Sequence, residues 1–130
     1  MAKITWLRRE LVLAVHRTQL IDHGGTDGIR DEGLLDSALA RPVNLEAYES
    51  NVSLPRLGAA YLFGIVKNHA FVDGNKRIAY AAAETFLTLN GFVVIASQIE
   101  KYELVIRAAS GELNEDQLTA WFTEHAHAPK

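Results

Sequence analysis

The run His69-Ala70-Phe71-Val72-Asp73-Gly74-Asn75-Lys76-Arg77 decides how this chain folds, because apolar helix-forming sequence flanks it on both sides. Residues 57–67 before the run and residues 78–89 after it both have the composition of packed helices. We therefore expect His69 to end one helix and Asn75 to open the next. The run itself becomes the connector between the two helices.

This connector has the residue types of a phosphate-binding site. A helix N-terminus presents unpaired backbone N–H groups and a partial positive charge. Lys76 and Arg77 add two full charges at this point, one on a compact ammonium and one on a planar guanidinium that grips two oxygens. Gly74 permits a tight turn and a close approach of a ligand to the backbone.

A structural interpretation of the same residues has to be weighed. In it, Asn75 is a helix N-cap, Phe71 is a core anchor and the two cations are solvated. A structural turn has no need of ionisable side chains at both His69 and Asp73 in addition to two cations. Their co-occurrence favours a functional site.

The run matches the signature H-x-F-x-[DEN]-[GA]-N-[KG]-R, and the chain resembles the Fic/Doc family, most closely its Doc branch, the death-on-curing toxins of toxin–antitoxin modules. Further segments that carry the resemblance are Gly24-Gly25, residues 28–35, residues 37–42, Asn68-His69 and Leu89-Asn90-Gly91. The resemblance implies a single all-α domain over residues 1–130. Its expected form is a compact Fic-type bundle of about six helices, with the motif loop between two central helices.

Two departures from the wider family pattern bear on the reaction. Adenylyl-transferring Fic proteins typically carry Gly where this chain has Lys76, and a second Arg where it has Tyr80. A Lys side chain without the second guanidinium should bind nucleotide phosphates differently. The Doc branch, which has the same Lys, is a protein kinase that binds ATP in reverse and presents the γ-phosphate to a target hydroxyl.

The resemblance also implies roles for the motif residues. His69 would be the general base that takes the proton of a target Ser or Thr hydroxyl, which suits the usual pKa of His, roughly 6.5. Asp73 would bind Mg²⁺ or orient the reacting groups. The residues implied to bind the phosphates of ATP are Gly74 through its backbone, Asn75, Lys76 and Arg77. The implied catalytic set is His69, Asp73, Lys76 and Arg77.

The expected substrate is a translation factor, with elongation factor Tu as the target that the resemblance implies, so that translation is arrested. The chain has no inhibitory [S/T]-x-x-x-E-[G/N] run, so restraint is expected in trans from a cognate antitoxin whose disordered C-terminal segment folds onto the toxin. Two alternatives stay open. One is a nucleotidyl transferase that moves AMP to a protein hydroxyl, and the other is a non-catalytic antitoxin-binding module.

Composition sets further limits. The chain has 130 residues, 48% of them hydrophobic, no cysteine and a formal net charge of −3. These values predict a packed domain without disulfides or Cys-ligated zinc, and the negative charge argues against direct nucleic-acid binding. The apolar stretches fall short of the ~18 to 20 residues that span a bilayer. No signal peptide is evident, so a cytoplasmic location is the default expectation.

Outside the motif, local signals predict further helices. They are a helix over residues 6–22, a short helix capped by Asp31 and ending before Pro42, a helix opened by Ser53 and Pro55, a helix from the Ser97 capping box to Ser110, and a last helix opened by Asn114. Residues 92–96 suggest a short extended segment. His16 and His23, seven residues apart, are expected to be surface or partly buried residues, and residues 124–127 are expected to be a frayed end rather than a metal site.

Overall fold

The computed structural model describes residues 3–128, which form six α-helices and one pair of short strands. The elements are α1 (Arg9–His23), α2 (Glu32–Tyr48), α3 (Leu54–Asn68), α4 (Asn75–Leu89), β1 (Val93–Val94), α5 (Gln98–Ala109), α6 (Glu115–His125) and β2 (Ala126–His127). The predicted all-α class and the number of helices are confirmed. None of the helices in this range has the length and apolar character needed to cross a bilayer.

Helix α3 forms the centre of the molecule and packs against α2, α4 and α6. Ten of its fifteen residues are buried, so it has almost no solvent face. Tyr61, fully buried on this helix, accepts a hydrogen bond on its hydroxyl from the backbone N–H of Leu7 at 3.2 Å. Burial raises the pKa of the Tyr61 hydroxyl, so this group stays protonated. The core is therefore built around the helix that carries His69 at its end.

Four of the predicted helix starts are confirmed by side-chain caps. Asp31 accepts a hydrogen bond from the backbone N–H of Leu34, and Ser53 accepts one from the N–H of Arg56. Ser97 forms a full capping box, and Asn114 forms another. Each cap satisfies an N–H group that the helix leaves unpaired. These signals act within four residues, so sequence alone reveals them.

The expectation that the second helix ends before Pro42 is wrong, because α2 continues to Tyr48. Pro42 has no N–H to donate to the carbonyl of Ala38, which normally breaks a helix. Here that carbonyl lies against Gly64 of α3, and a Cβ built on Gly64 would be 3.4 Å from the Ala38 oxygen. Pro42 is buried and Leu45 packs against the core. Packing against α3 thus holds both halves of α2 in one helix.

The first helix begins at Arg9 rather than at Trp6, so its predicted start is also wrong. The preceding backbone makes tertiary hydrogen bonds instead. The N–H of Thr5 donates to the side-chain oxygen of Asn90 at 2.8 Å, and the N–H of Leu7 donates to Tyr61. A helix starting at Trp6 would remove these partners.

Residues 124–127 form the end of α6 and strand β2, which contradicts the expected frayed end. β2 pairs antiparallel with β1, with Val93 opposite His127 and Val94 opposite Ala126. The His125 ring stacks on Trp121 with centroids 4.0 Å apart. The extended segment predicted near residues 92–96 is confirmed as β1 and exists because the chain end supplies its partner.

Gly64 tests the contact between α2 and α3. Gly64→Ala should change the free energy of unfolding by less than about 1 kcal/mol, because the gain in helix propensity opposes the tight contact with Ala38. Gly64→Val should lower it by about 2–3 kcal/mol, since its branched side chain would enter the backbone of α2. Urea denaturation measures both changes. A valine variant as stable as the parent would mean that α2 can move away from α3 without cost.

Candidate functional site

The motif loop joins α3 to α4, and left-handed residues mark both of its ends. His69 follows the last residue of α3 with φ 50° and ψ 49°, and Gly74 precedes the first residue of α4 with φ 76° and ψ 19°. The predictions that His69 ends one helix and that Asn75 opens the next are confirmed. A positive φ is uncommon at a residue with a side chain, so the loop holds His69 in a restricted conformation.

The side chain of Asn75 closes this loop. Its Oδ1 accepts a hydrogen bond from the N–H of Phe71 at 3.0 Å, and its Nδ2 donates to the Phe71 carbonyl at 2.9 Å. Asn75 is the first residue of α4 and not its N-cap, so that structural interpretation is wrong. Because the Asn75 side chain is buried and bonded to Phe71 through both its oxygen and its nitrogen, its backbone N–H is the group left open at the helix N-terminus.

The N-terminus of α4 is open for an anion. Its first helical hydrogen bond runs from the N–H of Ile78 to the carbonyl of Gly74 at 3.0 Å. The N–H groups of Asn75, Lys76 and Arg77 consequently have no partner within the helix. The side chains of Lys76 and Arg77 are exposed beside these groups. Backbone dipoles and two full charges thus converge at one place.

His16 of α1 is buried against the motif loop. It is 1% exposed, its ring stacks on Phe71 with centroids 3.9 Å apart, and its Nε2 lies 2.8 Å from the carbonyl oxygen of Asp73. Because a carbonyl only accepts, Nε2 carries the proton and donates. The surface or partly buried position expected for His16 is wrong. Val12 and Leu20, four residues away on either side, are buried on the same face and were the available signal.

Asp73 fastens the loop to the segment between α1 and α2. Its Oδ1 accepts from the N–H of Gly74 at 2.8 Å, and its Oδ2 accepts from the N–H of Thr26 at 3.2 Å. These two hydrogen bonds, with a smaller contribution from Arg77, hold the pKa of the Asp73 carboxyl below its usual range. A Cβ on Gly25 would lie 3.0 Å from Oδ2, so only glycine fits there.

Asp73 has the character that a Mg²⁺ ligand requires. Its lowered pKa keeps it ionised at neutral pH, and each oxygen accepts a single hydrogen bond, which leaves further lone pairs. Within residues 3–128 no cluster of three or more His, Cys, Asp or Glu side chains forms a metal site. Mg²⁺ is commonly bound by one or two carboxylates together with substrate phosphates, and Asp73 fits that arrangement.

The same segment before α2 pairs with the other edge of the loop. The N–H groups of Arg30 and Asp31 donate to the Ala70 carbonyl at 2.7 and 3.1 Å, and the N–H of Val72 donates to Gly28 at 3.0 Å. The Arg30 guanidinium donates to the carbonyls at the end of α3, including that of His69 at 2.8 Å. The loop is therefore held on both sides, although it is short and polar.

All six residues predicted for the site line one cavity of about 750 Å³, bounded by α1, α4 and α5. They are His69, Asp73, Gly74, Asn75, Lys76 and Arg77. The opposite wall comes from α5 and includes Lys101 and Tyr102, which the sequence did not mark. No motif points to α5, because its position over the loop arises only from the packing of the helices.

The fold and site define a class of protein: a helical domain whose central helix pair presents a histidine, a carboxylate and an open helix N-terminus to one cavity. A sequence model described as the Fic/DOC family matches residues 6–87. The chain belongs to the Fic/DOC family.

Two curated relatives are similar over most of the chain. The toxin Doc of Mycolicibacterium smegmatis is 40% identical over 124 residues, which cover 88% of this chain and 88% of that protein. The protein kinase doc of Escherichia phage P1 is 34% identical over 105 residues, which cover 81% of this chain and 82% of that protein. The resemblance to the Doc branch is thereby confirmed.

Asn75→Ala should lower the free energy of unfolding by about 2–4 kcal/mol, because it leaves the N–H and carbonyl of buried Phe71 without partners. Lys76→Ala is the matched control. It changes the next residue, which is exposed, and should alter stability by less than about 0.5 kcal/mol. Urea unfolding measures both variants, and equal stabilities would show that the amide does not hold the loop.

His16→Leu should lower stability by about 1–3 kcal/mol, because the Asp73 carbonyl loses its donor. Hydrogen exchange should also accelerate at the amides of residues 71–75. His23→Leu, an exposed position on the same helix, should leave both observations unchanged. Unchanged exchange in the His16 variant would contradict a role in holding the loop.

Proposed function

We propose that this protein is a Doc-like toxin of a type II toxin–antitoxin system, acting as a protein kinase that transfers the γ-phosphate of ATP to a Ser or Thr hydroxyl of a translation factor. The observation that carries the proposal is the shared cavity of His69 and the open N-terminus of α4 with Lys76 and Arg77. The names of the two relatives, a toxin and a protein kinase, support the same conclusion.

In the proposed reaction, His69 takes the proton of the target hydroxyl. The hydroxyl oxygen forms a bond to the γ-phosphorus, the bond from that phosphorus to the bridging oxygen breaks, and ADP leaves. His69 suits this role because its side chain is exposed in the cavity while its backbone is held by Ile65 and Arg30. General-base catalysis of this kind contributes about 10²–10⁴-fold.

The other motif residues would bind and neutralise the transferring group. Phosphoryl transfer needs mainly positioning and charge stabilisation, which suits the N–H groups of residues 75–77 and the side chains of Lys76 and Arg77. Asp73 would hold Mg²⁺, which would supply positive charge to neutralise the transferring phosphate. Because Asp73 also fastens the loop, its carboxylate would lie in a fixed position relative to the helix N-terminus.

Tyr80 supports phosphate transfer over AMP transfer. Its hydroxyl donates to Glu84 at 2.9 Å, and burial together with the Glu84 carboxylate raises its pKa. The residue is therefore neutral, and it supplies no second cation where adenylyl-transferring relatives use an arginine. The phage relative named as a protein kinase agrees with this choice.

We further propose a cognate antitoxin as partner, whose C-terminal segment folds onto this chain, and elongation factor Tu as the substrate. The support for the antitoxin is the relative named as a toxin. The choice of elongation factor Tu as the substrate rests on the resemblance to the Doc branch. Coupled folding of a disordered segment provides a means of restraint in trans.

The test is intact-mass analysis of elongation factor Tu after incubation with this protein, ATP and Mg²⁺. We expect a gain of one phosphate with the parent and a loss of rate of at least about 100-fold with His69→Ala. His127→Ala, which changes an exposed histidine on β2, is the matched control and should retain the parent rate. A gain of one AMP would replace the kinase with a nucleotidyl transferase. If the protein is toxic and His69→Ala is as toxic as the parent, the kinase proposal is replaced by a non-catalytic binding module.

A further inference from the structure

The guanidinium of Arg30 binds two consecutive carbonyls at the point where α3 ends. Its Nε donates to the carbonyl oxygen of His69 at 2.8 Å, and its Nη2 donates to that of Asn68 at 3.2 Å. The last carbonyls of a helix have no partner within the helix, and a basic side chain can satisfy them. A planar guanidinium presents its N–H groups in a fixed fork, so Arg30 binds both carbonyls in one geometry. We name these two hydrogen bonds the Arg30 clamp.

The two carbonyls belong to the two peptide planes that meet at the Cα of His69. The Asn68 carbonyl lies in the plane before this atom, and the His69 carbonyl lies in the plane after it. The relative orientation of two such planes is set by the φ and ψ of the residue between them. A rigid donor group that binds one carbonyl from each plane therefore fixes the backbone conformation of His69.

This conformation is one that a residue with a side chain adopts uncommonly. His69 has φ 50° and ψ 49°, in the left-handed region. These angles set the direction of its Cα–Cβ bond, and its side chain lines the cavity. Among residues 3–128, none forms a hydrogen bond to the imidazole of His69. The position of the imidazole therefore depends on the backbone that the Arg30 clamp holds.

The backbone around Arg30 is attached to the loop independently of the guanidinium. The N–H groups of Arg30 and Asp31 donate to the Ala70 carbonyl at 2.7 and 3.1 Å, and Asp31 also caps α2. From the end of α3, Nδ2 of Asn68 donates to the carbonyl of Leu34 at 2.9 Å. None of these contacts uses the Arg30 side chain. The clamp can thus be removed by substitution while the segment before α2 stays against α3.

We propose that Arg30 is a positioning residue for the reaction, because it holds the two peptide planes around His69 and so keeps the imidazole where it meets the target hydroxyl. Arg30 itself does not contact the reacting atoms. This proposal rests on the proposed function, since it takes His69 as the general base. It adds a residue outside the motif, in the segment between α1 and α2, on which the rate depends.

The test measures phosphate transfer from ATP to elongation factor Tu by intact mass, in excess Mg²⁺. Arg30→Met keeps a long side chain without donors and should lower kcat about 10–100-fold, because the base is no longer held in place. The KM for ATP should stay within about twofold, since the phosphate-binding groups at the start of α4 are unchanged. Arg30→Lys retains N–H donors and should lose less than about fivefold in kcat.

Two comparisons separate positioning from an effect of charge or folding. Arg17→Met, the matched control, removes an exposed arginine that lies 4.0 Å from Asp27, and it should retain the parent kcat. In a His69→Ala background, Arg30→Met should change the residual rate by less than about twofold, because no imidazole remains to be positioned. Thermal unfolding by circular dichroism verifies that each variant is folded.

A spectroscopic measurement tests the Arg30 clamp without activity. The ¹³Cα and ¹³Cβ chemical shifts of His69 report its backbone conformation in solution. They should move in Arg30→Met, because the left-handed conformation loses its support. They should stay close to the parent values in Arg30→Lys and Arg17→Met.

The outcomes separate the two proposals. If Arg30→Met keeps the parent kcat, or lowers the rate equally with and without His69, the positioning role is overturned while the kinase proposal stands. If the parent transfers no phosphate in a reaction that requires His69, the proposed function fails. The chemical shifts then decide the Arg30 clamp alone: shifts that move in Arg30→Met support it, and unchanged shifts overturn it.

Discussion

The site depends on the pair of hydrogen bonds between the Asn75 side chain and the backbone of Phe71. Phe71 must be buried to anchor the loop, and burial would leave its N–H and carbonyl without water. One amide satisfies both groups from the first turn of α4. The loop can then reverse the chain within a few residues, so that the end of α3 and the start of α4 face the same cavity. His69 and the open N–H groups are neighbours for this reason.

A second layer of contacts comes from the chain between α1 and α2. On one side of the loop, this segment donates to the Ala70 carbonyl and accepts on its Gly28 carbonyl from Val72. On the other side, its Thr26 N–H donates to Asp73. Asp73 thus uses one carboxylate oxygen to hold the Thr26 backbone and the other to hold the N–H of Gly74. A Cβ built on Gly25 would lie 2.7 Å from Cδ2 of Leu20 and 3.0 Å from Oδ2 of Asp73, which gives a physical reason for one glycine of the pair that carries part of the family resemblance.

Local signals account for what the sequence could predict. The caps at Asp31, Ser53, Ser97 and Asn114 act within a single turn. The charged run around Gly74 likewise predicts an anion site from neighbouring residues alone. The sequence predictions that proved wrong concern residues whose contacts with distant segments override the local preference for a helix start, a helix end or a surface position. Pro42 stays in a helix because α3 packs against it, Trp6 lies outside α1 because Leu7 binds Tyr61, and His16 is buried because Phe71 covers it.

The α5 wall of the cavity could not be predicted for the same reason, and it adds a property that the motif lacks. The motif supplies positive charge and a histidine but does not distinguish one direction along the cavity from the other. The Glu84–Lys101 pair is electrically balanced, and Tyr80 stays neutral because burial and the nearby carboxylate raise its pKa. Excess positive charge is then confined to the start of α4. The field of the cavity consequently has a direction, from the positive start of α4 towards the balanced Glu84–Lys101 pair beside α5.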